Sequence, residues 1–231
     1  MISRDEFKQN LGAIQERIRV ACERNQRETS EVTLLPVTKN WPVAAVEYCR
    51  DAGIPRVGEN RVQEARSKQD EINGVEWELI GHLQSNKINQ VMGKFARVQT
   101  VDSVKLIQKL QSAAEKLGMI CPILLQVNAG EDPAKYGFHP GETAAALEEA
   151  LKATNLQVDG LMTIAPYAPE NPAVARACFA KLQEMRDRLQ DSHGVSLYEL
   201  SMGMSDDLDS AIAQGSTMIR VGSALFGERV Q

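Results

Sequence analysis

The sequence predicts one α/β domain over residues 1–231, a (β/α)8 TIM barrel with an extra helix before its first strand. Three observations carry this. Short apolar, β-branched segments alternate eight times with longer segments of helical spacing, the pattern of a parallel sheet covered by helices. No linker, low-complexity tract or shift of composition interrupts the run, and 231 residues lie inside the range of a one-domain barrel. The turn after the first strand, Thr38-Lys39-Asn40-Trp41-Pro42, contains no glycine, so the fingerprint of the rival doubly wound open sheet is absent.

The elements follow in order. A first helix over 4–25 places Phe7, Leu11, Ile14, Ile18 and Ala21 at steps of three and four, as one buried face requires. Strands are expected at 32–38, 56–59, 77–81, 97–101, 121–128, 157–164, 198–202 and 218–222, where Val, Ile and Leu cluster. Helices are expected between them at 42–52, 60–72, 84–95, 103–118, 141–153, 172–191 and 205–214, with a short C-terminal piece after 223. The segment 129–141, rich in Gly and Pro, is the longest irregular connection. It reads either as a solvated loop or as a gate.

Composition excludes several classes of function. With 43% hydrophobic and 25% charged residues, the chain can build a core without disulfide staples. The net charge of −5 is interspersed, which leaves no basic block for nucleic acid or an anionic membrane. The first residues, MISRDEFKQN, are charged where an export signal is apolar, and runs such as CPILLQV are too short to span a bilayer. A cytoplasmic protein is expected. Cys22, Cys49, Cys121 and Cys178 form no CxxC pair, and only three histidines accompany them, so neither a metal site nor a disulfide framework is expected. HExxH, Walker A and GxSxG motifs are absent.

Chemistry in this fold sits where strands end. Lys39 leaves the core at the end of the first strand. Desolvation there lowers an amine pKa that is ordinarily about 10.4, and a neutral amine is what a Schiff base needs. The alternative is a lysine whose charge snorkels to water. Ser201, Gly203, Met204 and Ser205 follow the seventh strand, with Ser205 a candidate helix N-cap, and Gly222 and Ser223 follow the eighth. Loops seven and eight are the recurrent phosphate site of the fold; ordinary turn and capping roles are the alternative. Arg220 shares a strand face with Gly222 and requires a partner in a packed interior, either a ligand ring or a carboxylate. His82 and Asn60 lie in the third and second strand-end loops; capping is an equal reading for Asn60. On the residues alone, a phosphosugar barrel using Lys39 in aldol-type chemistry is a further reading.

LLPVTKNWP, VGENRVQEA, WELIGHLQSNK, GLMTIAP, LSMGMSDD and IRVGSALFG occur in that order, and together they resemble the pyridoxal phosphate homeostasis protein family over about residues 4–228. The resemblance implies a barrel like that of alanine racemase, without the racemase's second, β-rich domain. It implies that Lys39 carries pyridoxal 5′-phosphate (PLP) as a Schiff base. Ser201, Ser205, Gly222 and Ser223 would hold the phosphate, Arg220 would face the pyridine nitrogen and Asn60 would flank the ring. Met204 and His82 would belong to the pocket shell, with Lys87 and Lys135 at most secondary contacts. Asn40-Trp41-Pro42 departs from the family pattern, so Trp41 would cover the pocket differently. The expected function is a non-catalytic, monomeric PLP carrier or buffer in vitamin B6 and amino-acid homeostasis, with apo PLP enzymes as recipients. The alternative is a small PLP-dependent racemase, for which Tyr136 and Tyr167 are the tyrosines placed in mouth loops.

Overall fold

The computed structural model describes residues 2–227. Eight parallel strands are present: β1 (Thr33–Pro36), β2 (Arg56–Glu59), β3 (Glu76–Leu79), β4 (Arg97–Val101), β5 (Cys121–Gln126), β6 (Leu156–Met162), β7 (Glu199–Ser201) and β8 (Met218–Val221). They pair in the order β1-β8-β7-β6-β5-β4-β3-β2. The ring closes just above β1, where Val37 bridges Gly58 and the Thr38 N–H donates to the Gly58 carbonyl at 3.1 Å. All eight expected strands are found, and the predicted barrel stands.

The helices are α1 (Arg4–Arg24), α2 (Val43–Asp51), α3 (Val62–Gln69), α4 (Ile88–Val91), α5 (Val104–Lys116), α6 (Thr143–Lys152), α7 (Pro172–His193), α8 (Leu208–Ala213) and α9 (Ser223–Phe226). The extra helix α1 starts in a capping box between Ser3 and Glu6 and buries the expected face, Phe7, Leu11, Ile14, Ile18 and Ala21. It packs on α8 and α9, with Phe7 stacked on Phe226 at 5.5 Å. Arg17 of α1 donates to the Ser205 carbonyl at 2.6 Å and pairs with Asp209, so this helix also ties down the loop after β7.

Two helices differ from expectation. The segment 84–95 forms only a 3-10 turn at 85–87 and the single turn α4, because Met92 leaves the helix at ψ 126° and Gly93 turns left-handed at φ 69°. Helix α8 is capped at Asp207, not Ser205. The Asp207 carboxylate accepts the Met204 N–H at 2.6 Å, which curls residues 204–207 into a turn before the helix can begin. The expected C-terminal piece starts as α9, and residues 228–231 lie outside the described residues.

Period-two alternation divides the side chains into two cores. Trp77, Leu79, Val98, Leu200, Ile219 and Val221 point outward into the apolar layer beneath the helices. The interior receives the alternate set. Leu35, Val37, Ile80 and Met218 form a small apolar cluster there, and Glu78, Arg97, Gln99, Asp159, Glu199, Ser201 and Arg220 are buried polar residues of the same barrel. At the floor, where strands begin, Arg97 makes two 3.0 Å bonds to Glu78 and reaches Asp159 at 3.1 Å and Glu199 at 2.8 Å.

Candidate functional site at the barrel mouth

Lys39 lies half-buried in the turn above β1, and that turn is gripped from α3. The Lys68 ammonium, 5% exposed, donates to the Thr38 carbonyl at 2.7 Å, to Glu59 at 2.6 Å and to Glu64 at 2.9 Å. Glu64 accepts the N–H of Asn40, which turns left-handed at φ 62°. The peptide groups on both sides of Lys39 are thus held by one ion pair at helical i,i+4 spacing. The Thr38 hydroxyl also donates to Glu59 at 2.7 Å. Burial pushes the Glu59 carboxyl up, against the pull of Lys68 and Thr38, and its Oε2 atom has no partner among the described residues. Sequence reasoning placed Glu59 at a strand end without a role, and missed Glu64 and Lys68. The available signal was the Glu64–Lys68 spacing beside a strand-end Glu.

Asn60 follows Glu59 at the rim and is half-buried. A Cβ added at Gly81 would strike the Asn60 carbonyl, so the ends of β2 and β3 approach as closely as glycine permits. Trp41 packs its ring beside Phe226 at 6.0 Å, against the core beneath the helices.

Arg220 is 3% exposed. Its Nη1 donates to the Ser201 hydroxyl at 2.7 Å and its Nη2 to the Thr163 carbonyl at 2.8 Å. Burial lowers its pKa to about 10, with Asp207 opposing the fall. Ser201 was expected at a phosphate, but its hydroxyl is fully buried and donates to Gln99 at 2.6 Å. Its side chain therefore props Arg220 from below. Burial also raises the Asp207 carboxyl, against the Met204 N–H and Arg220. Gly203 takes φ 96°, where a Cβ would collide with Ala211, and its carbonyl accepts the Arg220 N–H at 3.0 Å. Ser205 is half-buried in the turn before α8, while Gly222 is half-buried and Ser223 exposed where β8 passes into α9.

His82 stands on the rim with its side chain 39% exposed. Its Nδ1 lies 2.9 Å from Asp102, and its ring stacks on Tyr136 at 4.3 Å and 17°. The 129–141 segment is pinned to β5: Val127 bridges Phe138, the Phe138 N–H donates to the Gln126 carbonyl at 2.8 Å, and the Gln126 amide donates to the Tyr136 carbonyl at 3.1 Å. Met204 and Lys135 line a cleft of about 170 Å³ beside Pro166, Tyr167 and Asp207. Lys39, Asn60, His82, Met204, Ser205 and Gly222 therefore lie in strand-end turns, Ser223 is the first residue of α9, Arg220 lies below them in β8, and Ser201 lies in the interior beneath the arginine.

Comparison with known proteins extends this geometry. The family model for the alanine racemase N-terminal domain matches residues 9–230. The pyridoxal phosphate homeostasis protein of Aquifex aeolicus is 40% identical over 223 residues, covering 96% of this chain and 97% of its own. PipY of Synechococcus elongatus, solved with PLP bound, superposes with a TM-score of 0.81 at 39% identity, covering 90% of this chain and 98% of its own. Alanine racemase of Clostridium difficile shares the fold, with a TM-score of 0.80 at 16% identity; 98% of this chain matches 58% of that one. The barrel here is thus the counterpart of one part of the racemase, and the chain belongs to the alanine racemase N-terminal domain family, among its pyridoxal phosphate homeostasis proteins.

Proposed function

We propose that this protein binds PLP at the barrel mouth as a Schiff base on Lys39 and serves as a cytoplasmic, monomeric PLP carrier or buffer in vitamin B6 and amino-acid homeostasis, without significant turnover. The observation that supports it most is the pairing of Lys39, on a turn gripped from α3, with Arg220, whose hydrogen bonds go to neutral oxygens. The residues fit the chemistry of the group. A lysine amine suits the aldehyde, a guanidinium suits an unprotonated ring nitrogen, and the glycine and serine turns at 203–205 and 222–223 offer backbone and hydroxyl donors to a phosphate. Within that set, Asn60 would flank the ring, and Met204 and His82 would border it.

When bound, PLP supplies an electron sink whose strength depends on a protonated ring nitrogen. Arg220 opposes that proton, since a guanidinium stays charged near neutral pH, and so disfavours carbanion chemistry. Thr163 and Ser201 hold the guanidinium in place. A racemase would need a second base opposite Lys39. Tyr136 is committed to a stack on His82, and Tyr167 is 81% exposed, so neither is held as a pre-oriented base. Apo PLP enzymes are the proposed recipients.

The visible spectrum of purified protein tests the reading. A yellow band is expected that borohydride abolishes and that Lys39→Ala lacks. A colourless wild type that takes up no added PLP overturns the site. Racemisation at ordinary enzymatic rates, lost in Tyr136→Phe or Tyr167→Phe with PLP still bound, overturns the carrier role in favour of the racemase.

A further inference from the structure

We infer that Gln99 is a positioning residue for Arg220, setting through the Ser201 hydroxyl the orientation of the guanidinium that meets the cofactor ring. That the ring belongs to PLP rests on the proposed function; the orientation of Arg220 does not.

Donors and acceptors fix the direction of each bond. Gln99, on β4, is fully buried, and its amide nitrogen lies 2.6 Å from Glu78 Oε2 and 3.1 Å from the Met218 sulfur. Glu78 is held by both arms of Arg97, and an ionised carboxylate only accepts. The Gln99 NH2 must therefore face Glu78, which leaves its carbonyl to face Ser201 at 2.6 Å. Ser201 has a single proton, and Gln99 takes it. The Ser201 oxygen then offers only lone pairs, and Arg220 Nη1 donates to them at 2.7 Å. With Nη2 on the Thr163 carbonyl, the guanidinium is fixed from two sides.

The polarity of the chain runs one way, from Arg220 through Ser201 and Gln99 to Glu78, with Arg97 closing it from the floor. A flipped Gln99 would set its carbonyl against the Glu78 carboxylate and its NH2 against Ser201. Ser201 would then accept from both Gln99 and Arg220, and its own proton would lose its acceptor. The two errors come together among fully buried side chains, and buried unmade bonds of this kind are expensive. Gln99 also keeps the chain neutral between the two arginines. It passes on orientation while holding the Glu78 charge one side chain away from Arg220, so the guanidinium is steadied without being neutralised.

The test compares Gln99→Leu, Ser201→Ala, the double variant and Thr100→Val. Thr100 is the next residue on β4, buried and bonded to the Gly81 carbonyl at 2.8 Å, outside this chain of bonds. Nitrogen NMR of the PLP-free protein reads the guanidinium directly, with Arg220 assigned by the signals lost in Arg220→Lys. Distinct, slowly exchanging Nη signals are expected in the wild type and in Thr100→Val, and merged signals in Gln99→Leu and Ser201→Ala. In PLP-loaded protein both single variants should move the visible band the same way and release PLP about tenfold faster. The double variant should do no more than either single, because the chain is broken once. Additive effects, or Arg220 signals unchanged in Gln99→Leu, overturn the inference. If Gln99→Leu does not fold, Gln99→Met, which keeps the length of the side chain without its amide, decides it by the same NMR reading. A wild type without PLP overturns the functional reading instead, and the NMR result still stands or falls by itself.

Discussion

Two arginines among the described residues are buried inside this barrel, and their surroundings are opposite. Arg97 at the floor is ringed by the carboxylates of Glu78, Asp159 and Glu199. Burial pulls its pKa down, but Glu78 and its neighbours more than reverse this, and the net shift is upward. Arg220 at the mouth has hydrogen bonds to a hydroxyl and a carbonyl, and its pKa falls to about 10. A buried charge is costly unless paired. The floor arginine is saturated by the protein, while the mouth arginine is only steadied by it. The contrast separates a charge committed to the scaffold from one that the proposed function directs at a ligand.

Breaking the floor should have the largest effect. Arg97→Met leaves three interior carboxylates without their shared cation, and removing one partner of a buried ionic group costs about 3–5 kcal/mol. Urea denaturation should show that loss as a fall in midpoint. A change under about 1 kcal/mol would show that the floor is hydrated and that the contrast with the mouth is false.

Arg220→Met should reverse the balance of the two readouts. Its hydrogen-bond acceptors are neutral, so the stability loss is about 1–3 kcal/mol, while PLP retention should drop by about tenfold or more and the visible band should move. A variant that loses stability as Arg97→Met does, yet holds PLP with an unchanged spectrum, would assign Arg220 to the scaffold.

The barrel was legible because alternation and the exclusion of a glycine turn survive errors of a residue or two at strand ends. The region 84–95 was not, since Met92 and Gly93 end the helix through backbone angles that spacing does not report. At the site, Lys39 and Arg220 stand out because charged residues at strand ends and in strands demand a reason. The protein partners of Ser201 were hidden for a related cause. The residue falls within a glycine- and serine-rich turn, but its strand parity sends it inward to Gln99, and that partner is 102 residues away in sequence. The Glu59–Lys68 grip on Lys39 was hidden because Lys68 reads as a solvated helix residue until its burial is seen.

The pH dependence of stability sharpens the contrast further. Burial raises the carboxyls of Glu59 and Asp207, both near the mouth. For a raised carboxyl the native state binds more protons than the unfolded chain between the ordinary value, about 4, and the folded one. Stability therefore falls as pH rises through that window. Surface carboxylates such as Glu31, held down by Arg27, act below the ordinary value and with the opposite sign. Glu59→Gln and Asp207→Asn should each flatten the decline just above the carboxylate range, as read by urea midpoints across pH. An unchanged slope in both would show that these carboxyls stay hydrated.

The smallest effect should come from the saturated end. Tyr198 precedes β7 at the floor and is 54% exposed, and its phenol is pushed up to about 12, first by partial burial and then by the charge of Asp159. Asp159 also takes bonds from Arg97 at 3.1 Å and Gln157 at 2.7 Å. Asp159 keeps both of these donors when the half-exposed phenol is removed, so no charge is orphaned, and Tyr198→Phe should cost only about 0.5–1 kcal/mol, less than Ser201→Ala at the mouth, where Arg220 loses one of two acceptors. Urea midpoints for the two variants make the comparison directly. If Tyr198→Phe proves the more damaging, the carboxylates around Arg97 depend on every partner they have, and the floor is as finely poised as the mouth.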